Sequence, residues 1–102
     1  MTKSQAIKKT QTFVQKARKS GMNITQTFLF GSYAKRGANK RSDIDVGVVI
    51  PHVKDRFSKE IKLKIIADQI DDRIEPVVLA KSDLQDPYYT LASEIRKYGI
   101  LI

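Results

Sequence analysis

Asp43 and Asp45 flank Ile44 at the head of a run of alternating apolar residues, and Gly31 and Ser32 precede them across a short basic stretch. Carboxylates two residues apart on a strand project to the same face, with Cα atoms about 6.6 Å apart, so both can reach one cation. Residues one or three apart would point to opposite faces. Magnesium takes hard oxygen ligands, commonly a few carboxylates completed by water and substrate phosphate. Two such ions about 3.5–4 Å apart can acidify an attacking hydroxyl and stabilise a pyrophosphate leaving group. A third carboxylate is expected on an adjacent strand. Glu75 is the candidate, as metal ligand or as acceptor of the hydroxyl proton. It could instead pair on the surface with Arg73 or a helix lysine.

Gly31 would let the backbone approach phosphates closely, and the Ser32 hydroxyl with the helix amides behind it offers them donors. Lys35, Arg36, Lys40 and Arg41 surround this cradle in sequence and could neutralise triphosphate charge. Arg36 and Lys40 are the candidates for nucleotide binding, although spacing alone does not say which cation reaches the ligand. At ordinary residue frequencies the Gly-Ser and Asp-x-Asp positions would coincide by chance in roughly one 100-residue chain in a thousand. The spacing is therefore informative.

These residues need elements to hold them. Over residues 2–20 the apolar positions Ala6, Ile7, Thr10, Phe13, Val14 and Ala17 recur at helical steps, and Gly21 ends the helix. Residues 24–30 read as a strand stopping at Gly31, after which Ser32 can cap a short helix over 33–36. Residues 37–42 read as an exposed loop and 43–50 as a second strand. On that strand Ile44, Val46, Val48 and Ile50 share one face, while Asp43, Asp45, Gly47 and Val49 share the other. Phe57, Ile61, Ile65, Ile66 and Ile70 mark an amphipathic helix running to about Asp72. Residues 73–80 form a third strand, which Pro76 assigns to a sheet edge or a bulge. Asp86 and Pro87 suit the cap and first position of a last helix with Tyr88, Leu91, Ala92, Ile95 and Tyr98 on its apolar face, ended by Gly99. The alternation predicts an α/β fold, a small mixed sheet with flanking helices, in one domain spanning residues 1–102.

Composition narrows the chemistry. The chain has 102 residues and no cysteine, which removes disulfides, thiolate metal sites and thiol nucleophiles and fits a reducing cytoplasm. His52, the one histidine, follows Pro51 in a predicted loop, which disfavours a histidine triad or zinc site. Neither a signal-peptide core nor a membrane span is long enough in apolar residues, so no membrane role is expected. A net charge of +8 favours an anionic partner such as a nucleotide, nucleic acid or acidic protein.

Gly31-Ser32, ten intervening residues, then Asp43, one residue and Asp45 resemble the signature of the DNA polymerase β-like nucleotidyltransferases. Gly-Ser-Tyr-Ala-Lys-Arg-Gly followed by Ser-Asp-Ile-Asp-Val is similar to the minimal nucleotidyltransferases of prokaryotes. The resemblance covers most of the chain. It implies a polymerase-palm-like fold, Mg²⁺, in all two ions, held by Asp43, Asp45 and Glu75, and ATP as donor. Several members are antitoxins that inactivate a HEPN-type ribonuclease toxin by adenylylating a tyrosine hydroxyl. Glu75 departs from the wider family, where aspartate is common at the third acid.

The expectation is therefore an Mg²⁺-dependent transfer of AMP from ATP to a partner's tyrosine. A different class of reading is a non-catalytic module that neutralises a toxin by occluding it. A third is a basic nucleic-acid-binding domain, which the absence of interleaved aromatic and basic residues disfavours. The chain is too short to carry a separate acceptor domain, which directs attention to an acceptor that brings its own docking surface.

Overall fold

The computed structural model describes residues 1–39 and 41–102. Among them the elements run α1 (Lys3–Lys19), β1 (Gln26–Phe30), β2 (Ile44–Val49), α2 (Arg56–Asp68), β3 (Ile74–Leu79), α3 (Thr90–Tyr98) and β4 (Ile100–Leu101). Short 3₁₀ segments occupy Gly31–Tyr33 and Lys81–Gln85.

Helix α1 starts at a capping box: the Gln5 amide donates to Thr2 Oγ1 at 3.1 Å and the Thr2 amide donates to Gln5 Oε1 at 2.8 Å. It buries Ala6, Thr10, Phe13, Val14 and Ala17. The chain then turns at Gly21, whose φ of +100° suits a residue without a Cβ.

The sheet has the order β3-β2-β1-β4. β1 is antiparallel to both β2 and β4, whereas β2 and β3 run parallel around the α2 crossover. This is the mixed α/β sheet that the alternation predicts. Ile44, Val46 and Val48 are buried with Phe13 and Val14 of α1 and Leu63 and Ala67 of α2. Phe30, Val49 and Leu79 are buried on the other face with Ile95 of α3. Gly47 makes the second packing possible, because a Cβ there would lie 3.1 Å from Ile95 Cδ1 and 3.2 Å from Leu79 Cδ1.

Pro76 lies on the edge strand β3, as expected. The flanking outward donors are satisfied off the sheet. The Ile74 amide donates to the Asp71 carbonyl at 3.1 Å, and the Val78 amide donates to Glu60 Oε2 of α2 at 2.9 Å.

Four sequence expectations need correction. No side chain caps the turn after β1; the 3₁₀ segment starts at Gly31 itself, with Phe30 as its extended cap. Helix α2 ends at Asp68 rather than near Asp72, and it buries Leu63 and Ala67 while leaving Phe57, Ile61 and Ile65 exposed. Helix α3 starts at Thr90, because the Asp86 carboxylate accepts from the Tyr88 amide at 2.9 Å and so closes a turn before the helix. Tyr88 is 92% exposed and lies outside that helix.

Candidate functional site

The strand geometry carries Asp43 and Asp45 toward the end of β2 that adjoins the Gly31 turn. Asp45 is paired across the sheet with Phe30 on one side and with Glu75 on the other. Phe30 leads directly into Gly31, which has a φ of +71°. A Cβ added at Gly31 would collide with Asp45 Oδ2 and lie 3.0 Å from its Cγ. The glycine therefore stands directly against the carboxylate, and only a residue without a side chain fits there.

Asp43 is exposed and Asp45 half-buried. Burial first, and then the charges of Asp43, Glu75 and Glu94, push the Asp45 carboxyl above its ordinary range. Among the described residues neither aspartate forms an ion pair. The loop that delivers them is tied down. The Asn39 amide donates to Ser42 Oγ at 2.9 Å, the Ser42 amide donates to the Asn39 carbonyl at 3.0 Å, and the buried Tyr33 hydroxyl donates to that same carbonyl at 3.2 Å.

Glu75 occupies the expected neighbouring strand, but its carboxylate is engaged. Lys64 of α2 donates to Glu75 Oε1 at 3.0 Å, to the Ile74 carbonyl at 2.8 Å and to the Asp72 carbonyl at 3.0 Å. The pairing with a helix lysine, one of the alternatives open in the sequence, is the one found. Ser32 and Arg36 are both exposed beside the Gly31 turn. Lys40 lies outside the described residues.

Glu94 joins this group without a motif to announce it. Glu94 of α3 adds its charge to the field at Asp45 and is paired with Lys35, Nζ to Oε1 at 2.6 Å. The same ammonium sits 4.7 Å from the centroid of the Tyr98 ring. Nothing in the local sequence around Glu94 signals this; the packing of α3 over Gly47 brings it in.

Residues 8–102 match the family described as Polymerase beta, Nucleotidyltransferase. The chain belongs to that family. No curated protein matches this nucleotidyltransferase by sequence. Among solved structures it is similar to a candidate nucleotidyltransferase from Sulfolobus solfataricus, with a TM-score of 0.67 at 20% identity over 97% of this chain and 80% of the other. It is also similar to a chain of the toxin–antitoxin pair MntA-HpeT, with a TM-score of 0.61 at 21% identity over 90% of this chain and 69% of the other. A toxin–antitoxin structure with AMP-PNP gives a TM-score of 0.60 at 22% identity over 86% of this chain and 67% of the other. The three likenesses agree on the fold, a mixed four-stranded sheet with three helices among the described residues.

The donor set of this nucleotidyltransferase fits a hard divalent cation at Asp43 and Asp45. Two neighbouring carboxylates, neither in an ion pair with a described residue, with the Asp43 charge among the causes that raise the Asp45 carboxyl, are what such an ion relieves. Among the described residues no three acids or imidazoles converge into a ready-made metal cage. Lys64 takes Glu75 Oε1, so a ligand set that included Glu75 would use its Oε2 or displace that lysine. No helix among the described residues is long and apolar enough to cross a membrane.

Proposed function

We propose that this nucleotidyltransferase moves AMP from ATP to a tyrosine hydroxyl of a partner protein, a HEPN-type toxin, and so acts as its antitoxin. The observation that carries this reading is the close approach of Gly31 to Asp45, with Asp43 two residues before it and neither carboxylate in an ion pair among the described residues. Family membership supports nucleotidyl transfer in general. The likenesses to chains of two toxin–antitoxin structures, one of them with AMP-PNP, support a donor of the ATP type and a protein acceptor.

When bound, Mg²⁺ would be held by Asp43 and Asp45 and would supply charge neutralisation of the triphosphate and acidification of the acceptor hydroxyl, with Glu75 as the candidate further ligand for a second ion. The chain's own groups do the rest. Gly31 leaves room for the phosphates, the Ser32 hydroxyl donates to them, and Arg36 and Lys40 offset their charge. The acceptor oxygen bonds to the α-phosphorus as the bond from that phosphorus to the bridging oxygen breaks. Pyrophosphate leaves, and the hydroxyl proton passes to a site carboxylate, for which Glu75 is the candidate once free of Lys64.

Labelled ATP, Mg²⁺ and the partner protein should yield a covalent adduct one AMP heavier per event by mass analysis. Asp43→Asn and Asp45→Asn should each abolish the adduct, since they remove charge at nearly constant shape. The hold of Lys64 on Glu75 favours a second reading, a module that neutralises its partner by occlusion. On that reading both Asn variants would still neutralise, and no adduct would form with any metal or nucleotide.

A further inference from the structure

Helix α2 carries Phe57, Ile61 and Ile65 four residues apart, on consecutive turns of one face, at 75%, 46% and 57% exposure. An apolar stripe left open along a whole helix is an interaction surface more often than an accident. At one end it borders a cavity of about 260 Å³ lined by Phe57, Ile61, Lys64, Glu75 and Pro76, so the stripe runs up to the third acid of the candidate site. At the other end Ile65 and Ile66 border a cavity of about 420 Å³ shared with Lys62 and the turn after α1, whose last turn carries Lys16, Arg18 and Lys19.

The two rims of the stripe differ in charge. Along the inner rim Lys64 is already paired with Glu75 and Asp68. The other acids of this segment are also engaged: Asp55 accepts from the Ser58 amide and Glu60 from the Val78 amide. Along the outer rim Lys62 forms no ion pair or hydrogen bond among the described residues, and it faces the same cavity as the end of α1. Among the described residues, Lys62 thus brings free positive charge to the side of the stripe away from the site.

We propose that this stripe docks the acceptor protein, through an apolar ridge of that protein flanked on one side by carboxylates. The proposal rests on the reading of the chain as a transferase with a protein acceptor. A second copy of this chain is a poor occupant, since it would bring another net charge of +8 and set Lys62 against Lys62. An anionic membrane is a poor one as well, because Glu60 and Glu75 line the cavity at one end of the stripe. Docking here would hold an acceptor hydroxyl beside Glu75 and Asp45 without a separate acceptor domain.

The test is a photo-crosslinker, p-benzoylphenylalanine, in place of Ile61 in the full chain, irradiated in living cells, with the crosslinked peptide identified by mass analysis. The expected product is a heterologous protein joined at an apolar segment bordered by Asp or Glu. Phe57→Ser with Ile61→Ser should weaken its purified complex at least tenfold, and Lys62→Glu should weaken it several-fold. Both variants should bind AMP-PNP with Mg²⁺ as the wild type does. A crosslink to a second copy, to RNA or at a basic segment overturns the proposal, as do flotation with phosphatidylglycerol vesicles, no crosslink, or unchanged affinity of the variants. Nucleotide on the crosslinked protein reports the transferase reading separately. A partner that docks here and never carries AMP keeps the docking surface and refutes the transfer.

Discussion

Gly31 stands against the Asp45 carboxylate so closely that a methyl group cannot enter between them. Gly31→Ala must therefore either push the carboxylate aside or move the turn, and at a φ of +71° it also strains the backbone. The strain costs about 1–3 kcal/mol, and a 1 Å misplacement of a reacting group costs on the order of 100-fold in rate. Thermal melting should fall by roughly 4–8 °C per kcal/mol in a domain of this size. Adduct formation should drop by a larger factor than partial unfolding explains. An alanine variant of wild-type stability and activity would contradict the geometry.

Asp45 is held in a place that penalises its charge. Burial and the neighbouring acids raise its folded-state pKa above the unfolded value, so the penalty is absent at low pH, develops as pH rises through the ordinary carboxylate range near about 4, and is complete above the folded value. Asp45→Asn should then melt higher than the wild type at pH 7, with the gain shrinking as the pH is lowered through that range. Mg²⁺ should raise the melting temperature of the wild type and leave that of the variant nearly unchanged. Melting curves across pH, with and without the metal, decide both points.

Asp71 behaves in the opposite sense. Its side chain is only 7% exposed and receives Arg73 Nη2 and Lys9 Nζ, each at 2.7 Å, tying the entry to β3 against α1. The Arg73 hydrogen bonds hold its carboxyl well below the usual range against the opposing effect of burial, and Lys9 lowers it further. The resulting stability is complete above the unfolded carboxylate pKa of about 4 and is lost as pH falls toward the depressed folded value. Asp71→Asn should cost about 2 kcal/mol at pH 7, measured by urea unfolding, and variant and wild type should converge in acid.

Thr27 is fully buried on β1, and its Oγ1 has no hydrogen-bond partner among the described residues. Valine has nearly the same shape and needs none. Thr27→Val should stabilise the chain by about 1 kcal/mol, with adduct formation unchanged. A destabilised variant would mean that the hydroxyl has a partner, such as an ordered water.

The sheet was legible because it depends on strand alternation, a property of the local sequence. Ile44, Val46 and Val48 face one core and Asp45 the other side, as their order requires. The proline rule likewise placed β3 at the edge. Helix α2 misled because Phe57, Ile61 and Ile65 keep the same four-residue spacing on the exposed side as a buried face would. Composition does not say which of two apolar stripes the sheet will cover. Glu94, and which helix lysine would pair with Glu75, were illegible for a related reason: each reaches the site from a helix, through a packing angle that only the assembled sheet defines. β4 is two residues long and gives no pattern to read.

The outer margin of β3 has a consequence for how this chain lives among other copies. The amides of Ile74 and Val78 are taken by Asp71 and Glu60, Pro76 has none to give, and Lys64 occupies the Ile74 carbonyl. A foreign strand arriving there would find no row of free groups to zip onto, so the side of the sheet nearest the acids resists fibril growth and strand swapping. That margin of the sheet is closed to strand addition from a second copy.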